Sequence, residues 1–132
     1  MRDRPGALQI LLASTGAGIL TQVTKDVIER VRPTEAPQLI TVSGFSYPSG
    51  HSLAVSALYL TLAIVASRHL RHSAAKIAVF LAVLSVIVLV GASRVYLGVH
   101  YMTDVASGIL LGAAWALLLA GFFSRFVQRA SP

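Results

Sequence analysis

The sequence contains no cysteine and few acidic residues, and these two shortages narrow the classes of protein it can belong to. Without cysteine there is neither a disulfide framework nor a thiolate metal site. Asp and Glu number 5 against 11 Lys and Arg, and charged residues make up only 12% of the 132 residues, which argues against an ordinary soluble surface. A hydrophobic share of 55% and a mean hydropathy of +0.74 instead predict a membrane protein of one domain.

The excess of basic residues gives a formal net charge of +6, which raises the question of nucleic acid binding. A nucleic-acid surface would show a basic stripe with interleaved aromatic residues, and the Lys and Arg residues here form no such stripe. They lie at the ends of apolar runs, where lipid head groups are the expected neighbours. We therefore expect membrane lipids, and not nucleic acid, as partners.

Charge-free apolar intervals predict an all-α, integral-membrane bundle of four transmembrane helices. The predicted spans lie at about residues 6–24, 51–68, 76–93 and 104–123 of a single domain covering 1–132, with a loop at 25–50 and a turn at 94–103 on one side. The first span is the weakest because Gln, Ser and Thr residues interrupt it. For that segment alone, a buried soluble helix is the alternative.

The distribution of charge predicts how these spans are oriented. Four alternating spans place both termini and the loop between the second and third spans on one side. That side carries the basic residues Arg2, Arg4, Arg68, Arg71, Lys76, Arg125 and Arg129 with the acid Asp3, whereas the other side balances Lys25, Arg30, Arg32 and Arg94 with Asp26, Glu29, Glu35 and Asp104. The positive-inside rule then predicts cytoplasmic termini in a bacterial inner or plasma membrane, and an extracytoplasmic loop and turn.

Three polar clusters interrupt the apolar sequence, and the predicted topology brings all of them to the extracytoplasmic face. They are Lys25 with Arg32-Pro33, the segment Pro48-Ser49-Gly50-His51, and Ser93-Arg94 followed by His100 and Asp104. A guanidinium group binds phosphate bidentately, and a lysine adds a mobile positive charge. For the two cations of the first cluster, simple anchoring at the membrane interface is the alternative interpretation.

The second and third clusters each predict a specific local geometry. Ser49 is a candidate N-cap, Gly50 allows close approach to an anion, and the N–H groups of the helix start can bind a phosphate. An ordinary capped helix with His51 at the interface is the alternative. If His100 opens a helix, Asp104 lies on the same face one turn later and can orient the imidazole. A His–Asp capping pair, which is common at helix starts, is the alternative.

Lys25-x6-Arg32-Pro33, Pro48-Ser49-Gly50-His51 and Ser93-Arg94-x5-His100-x3-Asp104 together resemble the three-part signature of the type 2 phosphatidic acid phosphatase superfamily, in residue type, spacing and order. The resemblance implies a lipid phosphatase that uses no metal and no cofactor. In that scheme His100 attacks phosphorus and forms a phosphohistidine, Asp104 orients His100, and His51 acts as acid and then as base. The residues that would hold the phosphoryl oxygens are Lys25, Arg32, Ser49, Gly50 and Arg94.

The resemblance also defines what we expect of the whole protein. Its implied substrates are lipid phosphates or diphosphates of the undecaprenyl diphosphate, phosphatidate or phosphatidylglycerophosphate type. His69 and His72 lie on the opposite side and have no expected catalytic role. Membrane members of that family usually have six transmembrane helices, whereas one helix precedes Lys25 here, so the sequence resembles the last four. A truncated or naturally short chain, a homo-oligomer, or another segment that supplies the missing helices would each account for this.

Two other functions are compatible with the same residues. A vanadate-dependent haloperoxidase would use a similar anion site, although the predicted transmembrane spans argue against it. A non-catalytic membrane module that binds or transports lipid phosphates is the second alternative.

Overall fold

The computed structural model describes residues 3–35 and 37–129, with side chains as far as residue 125 in the last helix. The regular secondary structure of these residues consists of four helices: α1 (Arg4–Ile28), α2 (Gly50–Ser67), α3 (Ser73–Tyr96) and α4 (Met102–Arg129). All four are long and apolar enough to cross a membrane. The predicted all-α bundle of four transmembrane helices is thereby confirmed. Arg2 and the side chain of Arg129, which entered the orientation argument, lie outside the described part.

The helices extend beyond the apolar spans that the sequence predicted. The N-terminus of α1 is capped by Asp3, whose carboxylate accepts a hydrogen bond of 2.9 Å from the backbone N–H of Gly6. This helix continues to Ile28 and ends where Glu29 adopts a left-handed conformation with φ of 47°. Likewise, α3 continues to Tyr96. The first, third and fourth predicted spans are shorter than their helices because hydropathy marks only the apolar part of a helix, and polar residues prolong it at both ends. Helix α2 has the predicted length and begins one residue earlier.

Helix α2 lies at the centre of the bundle, where it contacts all three other helices and packs most extensively on α4. Two glycines of α4 make this close packing possible. A Cβ atom on Gly108 would lie 2.7 Å from the carbonyl oxygen of Ser49, and one on Gly112 would lie 2.4 Å from that of Leu53. Such distances are shorter than van der Waals contact, so only glycine lets the two backbones approach this closely.

Helix α1 is fixed against α4 by Trp115. The indole Nε1 donates a hydrogen bond of 3.1 Å to the carbonyl oxygen of Leu12. The ring fills the space beside Gly16, where a Cβ atom would come within 2.4 Å of it. This contact determines where α1 stands relative to α4, and therefore where the last turn of α1 presents its polar side chains.

The outward faces of the helices are apolar, in keeping with a lipid environment. Large exposed side chains occur on every helix and include Leu11, Ile19, Leu62, Leu81, Leu89, Leu117 and Leu118. An exposed apolar surface that surrounds the whole bundle is unfavourable in water and favourable against acyl chains. The charged side chains of the described residues lie at the helix ends and in the loops, at the two ends of the bundle.

Candidate active site

A pocket of about 430 Å³ opens at the end of the bundle where α1 and α3 finish and α2 begins. Six of its lining residues belong to the three polar clusters: Lys25, Arg32, Gly50, His51, Arg94 and His100. The other lining residues are Gly18, Thr21, Val42, Ala54 and Val99. Members of all three polar clusters therefore meet in one pocket, as the predicted topology required. Three of them are cations and two are imidazoles, so the pocket is built to receive an anion.

The guanidinium of Arg32 is fixed by carbonyl groups of the surrounding loops. Its Nε donates to the carbonyl of Gly44 at 2.9 Å, its Nη2 to that of Ser43 at 3.1 Å, and its Nη1 to that of Val99 at 2.8 Å. Burial lowers the pKa of Arg32 from its usual value, and the negative charge of Asp104 opposes that shift. Because several carbonyl groups hold the guanidinium, its orientation is set before any ligand enters.

Lys25 is attached to the same loop from the last turn of α1. Its Nζ donates a hydrogen bond to the carbonyl oxygen of Phe45. Arg94 reaches the pocket from the last turn of α3, with its Nε 3.2 Å from the hydroxyl of Ser93. The cations thus approach the pocket from α1, from the loop and from α3, and an anion between them would be contacted from three directions.

His100 presents one ring nitrogen to these cations. Its Nε2 lies 3.4 Å from Nη1 of Arg32, and the residue is only 6% exposed. An arginine can only donate hydrogen bonds, so Nε2 is the acceptor and carries the lone pair of the neutral ring. Burial first, and then the charge of Arg32, lower the pKa of His100 to about 4. At neutral pH the ring is therefore uncharged and its Nε2 is free to act as a nucleophile.

Asp104 lies behind His100 and is completely buried. Its Oδ1 accepts a hydrogen bond of 2.8 Å from Nη1 of Arg30, and its Oδ2 accepts one of 2.6 Å from the hydroxyl of Ser46. The distance from Oδ2 to Nδ1 of His100 is 3.5 Å, and this nitrogen makes no hydrogen bond to any described residue. The histidine and the carboxylate are thus adjacent without a hydrogen bond between them, and other groups already hold the carboxylate.

Helix α4 begins at Met102, between the helix start considered at His100 and the predicted span that begins at about residue 104. His100 belongs to the turn before the helix, within the turn predicted at 94–103. The reason is that Asp104, in the third helical position, accepts a hydrogen bond of 2.9 Å from the backbone N–H of Tyr101, which is the capping residue. Asp104 thus caps its own helix and also stands beside the imidazole, and its role in orienting that ring stays a prediction.

The start of α2 contributes Gly50 and His51 to the pocket wall. A Cβ atom on Gly50 would lie 2.9 Å from Cγ2 of Thr21, so glycine is needed here for α1 to pack against the first turn of α2. Ser49 occupies the N-cap position, but its hydroxyl makes no capping hydrogen bond and instead accepts one of 3.0 Å from the hydroxyl of Ser52. Ser49 is buried and does not line the pocket, and its role as a phosphate ligand stays a prediction.

Sequence reasoning missed Arg30 and Ser46, the two side chains that hold Asp104. Arg30 was counted only as one of the basic residues on the extracytoplasmic side, and nothing distinguished Ser46 from other loop serines. Their contacts with Asp104 span 74 and 58 residues of sequence. Apart from the position of Arg30 inside the first polar cluster, the sequence contains no signal for either contact.

The opposite end of the bundle has its own polar contacts. His69 Nε2 lies 3.2 Å from the carboxylate of Asp3, and Arg68 donates a hydrogen bond of 2.9 Å to the side-chain oxygen of Gln9. These contacts join the start of α1 to the end of α2, and neither His69 nor His72 lines the pocket. Among residues 3–35 and 37–129, no three His, Asp or Glu side chains come together as a metal site would require.

Comparison with known proteins identifies the family of the chain. A family model described as the PAP2 superfamily matches residues 6–128. The chain belongs to the PAP2 superfamily. It is 43% identical to phosphatidylglycerophosphatase B of Bacillus subtilis (strain 168), over 94% of this chain and 62% of that protein. It is 32% identical to an undecaprenyl-diphosphatase of Sulfolobus acidocaldarius, over 90% of this chain and 55% of that protein.

The fold has a counterpart among solved PAP2 structures. The crystal structure of a transmembrane PAP2-type phosphatidylglycerolphosphate phosphatase from Bacillus subtilis superposes with a TM-score of 0.83 at 43% identity, over 89% of this chain and 59% of that chain. The chain thus spans less than two thirds of the length of these relatives. The relationship confirms an integral-membrane protein of this superfamily.

Proposed function

We propose that this protein is a membrane-embedded phosphatase that removes the terminal phosphate of a lipid phosphate or diphosphate through a phosphohistidine intermediate. The observation that supports this most strongly is the position of His100. Its unprotonated Nε2 lies 3.4 Å from Arg32 in a pocket that is also lined by Lys25, Arg94 and His51. A nucleophile, a fixed set of cations and a second imidazole are the groups that phosphoryl transfer needs.

In the first step, Nε2 of His100 attacks phosphorus in line with the leaving oxygen. The N–P bond forms while the P–O bond to the lipid alcohol or lipid phosphate breaks, and His51 donates a proton to the departing oxygen. Lys25, Arg32 and Arg94 offset the charge that builds on the equatorial oxygens, together with the N–H groups at the start of α2 beside Gly50. The imidazole becomes cationic in this step, and Asp104 then pairs with its Nδ1–H.

In the second step, water attacks the phosphohistidine. His51 accepts a proton from that water, the N–P bond breaks, and the electron pair of the bond returns to Nε2 of His100. Inorganic phosphate leaves, and the neutral ring is restored. The positive charge that a divalent metal would otherwise supply comes, in this proposal, from the lysine and the two arginines.

A lipid is the proposed substrate because of where the pocket lies. It opens among helices whose outer surfaces are apolar, and its wall includes Gly18 and Ala54 from the membrane-spanning parts of α1 and α2. A phosphate at the bundle end can therefore carry an acyl or prenyl chain that remains in the bilayer. The relatives suggest phosphatidylglycerophosphate and undecaprenyl diphosphate as the first candidates, with phosphatidate as a third. The charge distribution favours an extracytoplasmic pocket and cytoplasmic termini.

The test is phosphate release by purified protein in detergent with EDTA present. The panel contains phosphatidylglycerophosphate, undecaprenyl diphosphate, phosphatidate and a water-soluble phosphate ester. We expect turnover of at least one lipid, and we expect His100→Ala to lower kcat by roughly a thousandfold or more, because the nucleophile is lost. His72→Ala is the matched control, since this histidine does not line the pocket and should leave kcat unchanged. Full activity of His100→Ala, or tight lipid binding without turnover by the wild type, would contradict the proposal.

A further inference from the structure

Among the described residues, Arg30 is the cation that contacts the active-site carboxylate without lining the pocket. It follows the end of α1, and its Nη1 donates hydrogen bonds of 2.8 Å to Oδ1 of Asp104 and 2.7 Å to the hydroxyl of Thr103. Its guanidinium carbon lies 4.2 Å from the centre of the Tyr101 ring. Arg30 does not line the pocket, so these contacts serve the groups behind the pocket and not a ligand inside it.

Asp104 connects Arg30 to His100. One carboxylate oxygen is bound by Arg30, and the other faces Nδ1 of His100 at 3.5 Å while it accepts hydrogen bonds from Ser46 and from the backbone of Tyr101. The carboxylate is completely buried, so its charge depends on these hydrogen bonds and on the nearby cations instead of on water. Arg30 is the one cation in contact with it among the described residues.

We propose that Arg30 is a positioning residue for His100: it fixes the rotation of the Asp104 carboxylate and offsets its negative charge, so that the imidazole stays neutral until phosphoryl transfer makes it cationic. This inference rests on the proposed phosphatase function and adds a residue to it. The reaction places two requirements on this carboxylate. The resting imidazole must stay neutral, and a carboxylate without Arg30 would attract a proton to it. The phosphorylated ring must have a negatively charged partner, and without the carboxylate it would have none.

The other charges around His100 support this division of roles. The titratable or charged groups that face it come from every neighbouring element and are Lys25 of α1, Arg32 and Arg30 of the loop, His51 of α2, Arg94 of α3 and Asp104 of α4. Burial, Arg32 and Lys25 disfavour the imidazolium, whereas the charge of Asp104 and the backbone of Ser46 favour it. Asp104 is the charged group among those that favour it, so removing Arg30 strengthens its attraction for a proton, and the pKa of His100 should rise.

The proposal is tested with Arg30→Gln in the full chain. We expect the plateau value of kcat to fall about tenfold, because one charged hydrogen bond to Asp104 is lost, and KM to stay unchanged. We also expect a shift in the acid limb of the pH profile, which is the pH range in which kcat/KM falls as the solution becomes more acidic. This limb should move up by about one pH unit, since the resting imidazole binds a proton more tightly. Arg30→Lys keeps the charge and should leave the limb near its wild-type position. Thr103→Val removes the other acceptor of Arg30 and is the matched control, with kcat and limb unchanged.

A purely structural role for Arg30 gives a different result. Arg30→Gln would then lose folded protein and activity in proportion at every pH, with the acid limb within about 0.3 units of the wild type, and this would overturn the inference. The titration of His100, followed by NMR on histidine-labelled protein in micelles, reads the same effect without any substrate. If the wild type hydrolysed none of the lipids, the proposed function would fail. An upward shift of the His100 titration in Arg30→Gln would still support the coupling, and an unchanged titration would refute it.

Discussion

The substitution Asp104→Asn removes one charge from the centre of the proposed mechanism while keeping the shape of the side chain. Three donors point at the two carboxylate oxygens: Nη1 of Arg30 on one side, and the Ser46 hydroxyl and the Tyr101 N–H on the other. Asparagine has a single oxygen, so its NH₂ group must face at least one of these donors. One donor loses its acceptor whichever way the amide turns: the Tyr101 N–H in one orientation, because the Ser46 hydroxyl can rotate to accept from the NH₂ group, and Nη1 of Arg30, whose side chain is 36% exposed, in the other.

The expected magnitudes follow from this arrangement. An unpaired buried donor costs about 1–3 kcal/mol of the free energy of unfolding. For catalysis, a carboxylate 3.5 Å from the cationic ring of the intermediate attracts it by roughly 5 kcal/mol at an effective dielectric constant of about 20. Arg30 already offsets part of the Asp104 charge, so we expect a loss of about 3 kcal/mol, which is roughly a hundredfold decrease in kcat.

The assay is kcat for phosphate release at saturating lipid, measured beside the thermal unfolding of the same preparation. Unfolding separates a loss of folded protein from a loss of chemistry. Ser124→Ala is a suitable control, because this hydroxyl binds only a carbonyl of its own helix at the far end of α4. If Asp104→Asn kept kcat within about threefold of the wild type while remaining folded, the assigned role of Asp104 beside His100 would be refuted.

Three further outcomes are expected. Arg32→Lys should lower kcat/KM by about tenfold or more, since an ammonium group cannot reproduce the contacts with Ser43, Gly44 and Val99, and a wild-type value would contradict the orienting role. The kcat/KM of the wild type, corrected for ionisation of the substrate, should fall only as the pH approaches about 4, because the lowered pKa keeps His100 neutral down to that value. A fall in kcat/KM already near pH 6.5, the usual pKa of histidine, would contradict this prediction. Gly112→Ala should destabilise the bundle by about 3 kcal/mol or more in thermal unfolding. A Cβ atom on Gly121 would have no neighbouring atom within 4 Å, so Gly121→Ala should stabilise the bundle by about 0.5–1 kcal/mol. Equal effects of the two substitutions would refute the packing argument.

The fold was largely predictable because hydropathy and length decide which segments cross a membrane. Four apolar intervals gave four helices, and α2 begins at Gly50, one residue from the predicted position. The ends at Ile28 and Tyr96 were not predictable in the same way. A helix in the interfacial region continues over polar residues until a cap ends it, and the left-handed conformation of Glu29 is invisible to hydropathy.

The candidate site was predictable to the extent that topology alone brings residues together. Lys25, His51 and Arg94 stand at helix ends, so the alternation of spans was enough to place them on one face. The partners of Asp104 were not predictable, because they depend on how the loop between α1 and α2 folds back over the start of α4. Ser46 and Arg30 reach the carboxylate only through that tertiary arrangement.

The central claim is that His100 becomes phosphorylated during turnover. The most direct measurement uses lipid substrate labelled in its terminal phosphate, mixed with His51→Ala protein and quenched in alkali, in which phosphohistidine is stable. His51 is the proposed acid of the first step and the proposed base of the second, so the substrate is a lipid diphosphate, whose lipid phosphate leaves without needing that first proton. We therefore predict that label accumulates on the protein and maps to His100, and that the double variant His51→Ala/His100→Ala takes up none. Label on another residue, or phosphate release by His51→Ala at the wild-type rate without any labelled protein, would contradict the account.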